Sequence, residues 1–236
     1  MRFPSRLLVA NMFFAVLLWL AALAVTAAIA AAVAVFGDLD QSAWEKVPQI
    51  ARWYALFTGV ALIREFLPMY IAHGQTRREF GGHALVTALL FAPFLGVLFA
   101  LGYLIERGVY ALAGLPPVLG RGHLYADTLQ FPVVVAEHTL QFAVWLAAGT
   151  FLGAAYYRWA GGGVLACLPV AAGLVLLAES TVGGDLRLPF ANRFGLGLDL
   201  AWPAAVLAGT GVATVLAGLA LTWPIIRDVP LRTTRA

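Results

Sequence analysis

Long apolar runs alternate with short polar breaks along this chain, and the breaks mark out six helices. Residues 7–37 carry no acidic or basic side chain. A membrane-crossing helix needs about 20 residues, so this run predicts a first span over about 8–36. Its length also exceeds the ~7–15 apolar residues of a signal peptide. An uncleaved first helix is therefore expected, with Asn11 at its interfacial start. An acidic connection holding Asp38, Asp40 and Glu45 leads to a second span over about 49–73. The third, about 82–105, begins at Gly81-Gly82 and contains Pro93. Residues 106–131 form the longest outer loop, in which 109–119 are apolar enough to lie along a membrane surface. Pro132 suits the first turn of a fourth helix, where its missing N–H costs nothing, and that span runs over about 132–157. Tyr156-Tyr157-Arg158-Trp159 and three following glycines read as an interfacial aromatic belt and a tight turn. A fifth span covers about 163–180, and a polar, Gly-rich stretch separates it from a sixth over about 202–226.

One break stands out. Between the second and third spans lies Ile71-Ala72-His73-Gly74-Gln75-Thr76-Arg77-Arg78-Glu79-Phe80. Gly74 suits the left-handed position just past a helix end. Thr76-Arg77-Arg78-Glu79 has the spacing of a capping box, in which the Thr hydroxyl takes the third amide and the Glu carboxylate reaches back to the Thr amide. One helix is expected to stop at His73 and another to start at Thr76. Two arginines then sit on a first turn where the helix dipole does not favour positive charge. Taken from charge alone, the segment is equally a docking element or a basic loop that sets membrane orientation.

Composition changes the picture from helical to membrane-embedded. Of 236 residues, 62% are hydrophobic and 11% charged, against about 25% charged in soluble domains; the mean hydropathy is +0.87. The fold class is an all-α polytopic membrane protein, a single transmembrane domain over residues 1–236. Lys46 is the only lysine, and the arginines are scattered through short loops. That distribution fits orientation by positive charge and excludes a nucleic-acid-binding face. With both termini cytoplasmic, nine of the fifteen Lys and Arg residues fall inside and six outside. The lone Cys167 supports neither an intrachain disulfide nor a cysteine metal site.

Ionisable residues inside spans mark functional sites by default. Arg64 and Glu65 lie within the second span, one turn before Pro68; alternatively, the membrane ends near Ile63 and the helix continues beyond it. Glu137 and His138 fall near the outer end of the fourth span, within reach of water. Gly149 and Gly153 have the GxxxG spacing that lets helices approach closely. The chain lacks the phosphate-binding G-x-x-x-x-G-K-[ST] pattern, H-E-x-x-H and G-x-S-x-G. His73, His83, His123 and His138 divide between the two sides, so no metal site and no catalytic residue is expected.

The stretch Leu67-Pro68-Met69-Tyr70-Ile71-Ala72-His73-Gly74-Gln75-Thr76-Arg77-Arg78-Glu79-Phe80 resembles the segment after the second helix of ABC-2-type transporter permeases. Small six-span actinobacterial-type members carry a Gly-x-[Ser/Thr]-Arg-Arg-x-[Phe/Tyr] core there, matched by Gly74, Thr76, Arg77, Arg78 and Phe80. The resemblance implies a cytoplasmic coupling segment, residues 74–82, in which Gly74, Gln75, Thr76, Arg77, Arg78, Glu79 and Phe80 dock onto a separately encoded ABC ATPase. Arg77 and Arg78 are expected to meet acidic groups, and Phe80 to fill an apolar pocket on that partner. It further implies two ATPase copies that bind the ATP and Mg, a second permease copy or paralogue, and an exporter in the bacterial plasma membrane. This chain itself binds no cofactor. Two features depart from the family: only Met1 to Arg6 precede the first span, and the stretch before the sixth span is too polar for a re-entrant helix pair. Two other classes stay open, an ion-coupled carrier using Arg64, Glu65, Glu137 or Glu179, and a noncatalytic membrane scaffold. No feature identifies the substrate.

Overall fold

A computed structural model of the chain describes residues 5–36, 41–114, 119–120, 123–182 and 204–227. Its elements are helices: α1 (Ser5–Phe36), a short 3-10 turn (Trp44–Lys46), α2 (Pro48–Ala61), a π-turn (Leu62–Phe66), α3 (Leu67–Ala72), α4 (Arg77–Ala113), α5 (Phe131–Val182) and α6 (Ala204–Arg227). Among the described residues, five stretches are long and apolar enough to cross a membrane, lying in α1, residues 44–72, α4, α5 and α6. The protein is a polytopic helical membrane protein. Residues 183–203, with the charges Asp185, Arg187, Arg193 and Asp199 and the expected start of the last span, lie outside the described residues.

Local chemistry explains the boundaries. Pro48 occupies the first turn of α2, as its fixed φ and absent N–H allow. Pro68 likewise cannot donate to the carbonyl of Arg64 one turn earlier. The chain answers with a π-turn over Leu62–Phe66, the wider winding found where an α-helical ladder is interrupted. One continuous second span is thus three helical pieces. Helix α4 opens at Arg77 and ends at Ala113, with Gly114 in the left-handed conformation (φ 67°) as its cap. It therefore runs about two turns past the expected end at 105, and the loop expected over 106–131 is shorter by that much. Glu106 explains the overrun: its carboxylate accepts from the Ser42 hydroxyl and the Trp44 amide, so the charge is satisfied on a helix that continues. Asn11 is no headgroup contact, because its backbone carbonyl accepts the Tyr54 hydroxyl at 2.9 Å from within the bundle.

Helix α5 doubles back. A straight helix would separate residues 145 and 179 by ~51 Å, yet the Trp145 indole N–H donates to Glu179 at 2.9 Å. The reversal occurs at Ala160 (φ 57°, ψ −149°), a backbone conformation that strains any residue with a Cβ. The tight turn expected at the three glycines thus pivots on the alanine before them. Gly163 instead provides room: a Cβ there would lie 2.7 Å from the Ala155 carbonyl oxygen. Legs 131–159 and 161–182 run antiparallel, and α6 packs on both, Gly218 facing Ala147 and Leu174.

The tightest seam joins α2 to the first leg of α5. A Cβ on Gly149 would lie 2.0 Å from the Leu56 carbonyl oxygen, one on Gly59 2.3 Å from that of Leu146, and one on Gly153 2.8 Å from that of Val60. Gly149 and Gly153 are thus a close-packing face, as small residues at this spacing allow. The obstacles are backbone atoms, which cannot swing aside. Gly149→Val is expected to destabilise the bundle by at least about 2 kcal/mol. Thermal aggregation in detergent, followed by size-exclusion chromatography, checks this; Gly82→Ala, with open space around it, serves as the neutral control.

Candidate functional site

The two ends of the bundle carry different polar chemistry. At one end, α3 meets α4 through four residues, His73 to Thr76. Gly74 adopts φ 78°, and the Gly74 and Gln75 amides return to the Ile71 and Tyr70 carbonyls at 3.0 and 3.1 Å. The His73 Nδ1–H donates to the Met69 carbonyl at 2.6 Å. Both halves of the capping box are made: the Glu79 amide donates to the Thr76 hydroxyl at 3.2 Å, and the Thr76 amide to the Glu79 carboxylate at 2.8 Å. Thr76, Arg78 and Glu79 are exposed, while Gln75 and Arg77 are half-buried. Arg77 donates to the Arg227 carbonyl at 3.1 Å, which caps the end of α6 with a cation, where a helix favours one. The segment 74–82 has no helix of its own; it is a tight turn followed by the first turn of α4.

Phe80 does not belong to that surface. It is fully buried, its ring edge-on to Tyr70 at 5.4 Å, in a cluster with Leu62, Ile63, Leu67, Tyr157 and Ile226. Apolar burial inside the chain outweighs display to a partner. The expectation that Phe80 fills a pocket on an ATPase is corrected: it holds the turn in place from beneath.

Arg64 and Glu65 lie on the same half of the molecule. Adjacent residues on a helix need not pair, but here Arg64 Nε and the Glu65 carboxylate are 3.5 Å apart, with both side chains more than half exposed. Arg64 also stacks over Tyr156 at 4.9 Å. The pair therefore sits level with Tyr156, where the expected aromatic belt begins.

The opposite end holds a buried ionic cluster. Glu137 has no exposed surface and Glu45 only 2%, so Glu137 is not at the water's reach expected for it. Burying carboxylates requires partners, and the connection between α4 and α5 supplies them. His123 Nδ1 lies 2.8 Å from Glu137 and its Nε2 3.2 Å from Glu45. The Leu124 amide donates to Glu137 at 2.7 Å, and the Gly120 amide to Glu45 at 3.0 Å. Tyr125 stacks on the His123 ring at 4.5 Å. Ionised carboxylates only accept, so an imidazole with a carboxylate on each nitrogen must donate from both and is an imidazolium. Burial by itself lowers the His123 pKa, but hydrogen bonds and charge from Glu137 and Glu45 outweigh it and raise it to about 9. Trp44 locks the same end, laid over Gly102 and donating to the Phe99 carbonyl at 3.1 Å.

One layer deeper, Arg52 joins α2 to both legs of α5. Its guanidinium meets Glu179 at 3.0 Å and donates to the Gln141 side chain at 3.0 Å. Gln141 also accepts from His138 Nδ1 at 3.2 Å. His123 and His138 are neighbours, their rings 6.5 Å apart, whereas His73 and His83 belong to the other end. Among the described residues no group of His, Cys, Asp or Glu is arranged to hold a metal ion.

Sequence reasoning singled out Glu137 and Glu179 but not Arg52, Glu45 or His123. Arg52 carried one readable signal, its place a single helical turn inside an apolar span that Pro48 opens. Comparison with protein-family models, curated proteins and solved structures finds no match.

The His123 clamp sets a pH dependence. Its folded pKa lies above the unfolded value near 6.5, so its contribution is complete below about pH 6.5. That contribution is lost as pH rises through about 9. Wild-type protein should lose thermal stability between pH 7 and 10 in detergent. In His123→Gln this alkaline loss should flatten from a lower starting stability; an unchanged alkaline profile would remove the clamp.

Proposed function

We propose that the protein is the membrane-spanning permease subunit of an ATP-driven exporter of the bacterial plasma membrane. One observation carries the reading: a rigid, doubly capped turn that presents Arg78 and Glu79 to solvent at one end of an apolar bundle. The sequence resemblance of Gly74, Thr76, Arg77 and Arg78 to the permease segment supports it. In this reading the chain crosses six times, each leg of α5 being one crossing, and both termini are cytoplasmic. A separate ABC ATPase, in two copies, binds ATP and Mg and docks on residues 74–79, while a second permease copy or paralogue completes the transporter.

The turn is built to transmit force. Its hydrogen bonds tie α3 to α4, Phe80 seats it on Tyr70, and Arg77 ties it to the end of α6. Closure of the ATPases on ATP would move three helices as one lever. Inward- and outward-facing arrangements of the bundle would exchange as their relative stabilities shift. The π-turn at Leu62–Phe66, where the helical ladder is interrupted, gives that lever a place to bend.

A second reading, an ion-coupled carrier, draws on the Arg52–Glu179 pair, of which Arg52 is buried and Glu179 partly so. A pull-down from mildly solubilised host membranes distinguishes the two. Wild type should bring down an ATPase at about equal stoichiometry, and Arg77→Glu/Arg78→Glu should lose it. Recovery of no ATPase with wild type favours the carrier; equal recovery with both forms keeps the permease but moves the interface.

A further inference from the structure

Between α1 and the start of α2 lies a cavity of about 620 Å³, within the ~300–1,000 Å³ of typical ligand sites. One wall is the α1 face that includes Leu18, Ala22, Val25 and Ile29; the facing wall includes Val47 and Ile50. Its lower end continues into a smaller pocket that shares Leu18, Ala22, Val47 and Ile50. At the end opposite the Gly74 turn the lining becomes polar, with Gln41, Ser42 and Lys46. The Ser42 hydroxyl is committed to Glu106. Lys46 is exposed, and no salt bridge among the described residues involves it.

We infer that this groove binds one acyl chain of an anionic glycerophospholipid, with the headgroup phosphate at Lys46. Length, polarity and charge each fit that occupant. The α1 wall covers residues 18–33, ~22 Å along the helix axis, longer than half of the ~30 Å hydrocarbon core. Apart from Thr26 on the α1 wall, the polar lining residues are Gln41, Ser42 and Lys46 at the rim, and the apolar walls run inward from them, the order of a lipid in the leaflet opposite the Gly74 turn. An ammonium at the rim reaches toward headgroups while its stem covers apolar surface. Its attraction to anionic lipid is worth about fivefold in binding. Bound there, the lipid would fill the gap beside α1 and pack it against α2. The inference does not depend on the permease reading.

Lipid retention tests it. Wild type, Lys46→Ala, Lys46→Glu and Ala21→Trp are incorporated into vesicles of equal phosphatidylcholine and phosphatidylglycerol, then extracted into mild detergent. Native mass spectrometry counts the bound lipid. Ala21 lines the groove from an exposed position, so its indole fills the groove without disturbing the core. Wild type should keep one phosphatidylglycerol per chain. Lys46→Ala should keep about fivefold less, with Lys46→Glu and Ala21→Trp lower still, all eluting as folded protein. Equal retention in wild type and the Lys46 variants, or no preference for phosphatidylglycerol, would overturn the inference. So would Ala21→Trp converting a dimer to a monomer with lipid unchanged, since the groove would then hold a second copy.

Discussion

A charge removed from water must find its counter-charge, and in this bundle that requirement is met by Arg52 and Glu179 across three helical segments. Removing one member would leave the other without its counter-charge; a fully buried pair loses about 3–5 kcal/mol this way, and the partial exposure of Glu179 puts this pair below that range. Their contact at 3.0 Å brings the second leg of α5 back beside α2. The indole of Trp145 adds a hydrogen bond to the same carboxylate from the first leg. With that junction made, Ala160 has to turn the chain and Gly163 has to let it pass. Gly59, Gly149 and Gly153 can then bring two backbones together, and α6 gains a surface formed by both legs.

The two ends of the bundle are specialised differently. The end with Trp44, Glu45, His123 and Glu137 is closed: carboxylates, imidazolium and loop amides satisfy one another beneath a short connection. The end with Gly74 and Thr76 is open, its hydrogen bonds spent on its own geometry and on the end of α6, with Arg78 and Glu79 exposed. A closed end suits a fixed anchor and an open, rigid end suits a handle. That division underlies the proposed transmission of motion from a docked ATPase into α3, α4 and α6.

Much of the helical plan was legible because it depends on neighbours in sequence. The apolar runs, the first-turn prolines and the Thr76–Glu79 capping box need only spacings of one to four residues. Gly74 and Gly149 were legible for the same reason. Phe80 was not: whether an aromatic at a helix start faces a partner or its own core depends on Tyr70, Tyr157 and Ile226. The Glu45–His123–Glu137 cluster joins positions separated by 78 and 14 residues, a distance no local pattern spans. Glu106 misled in the other direction. A charge ends an apolar run, yet the helix continues because Ser42 and the Trp44 amide receive it.

The proposed placement of the Gly74 turn on the cytoplasmic face and of the His123 cluster on the opposite face is the claim on which the account rests. Single-cysteine variants Ala126→Cys and Arg78→Cys, each in a Cys167→Ala background, test it with a membrane-impermeant maleimide on intact cells. Both positions are exposed, and solubilised protein provides the full-access control. The account predicts that residue 126 is labelled in intact cells and residue 78 only after permeabilisation. Labelling of both in intact cells, of neither, or of residue 78 alone would contradict it.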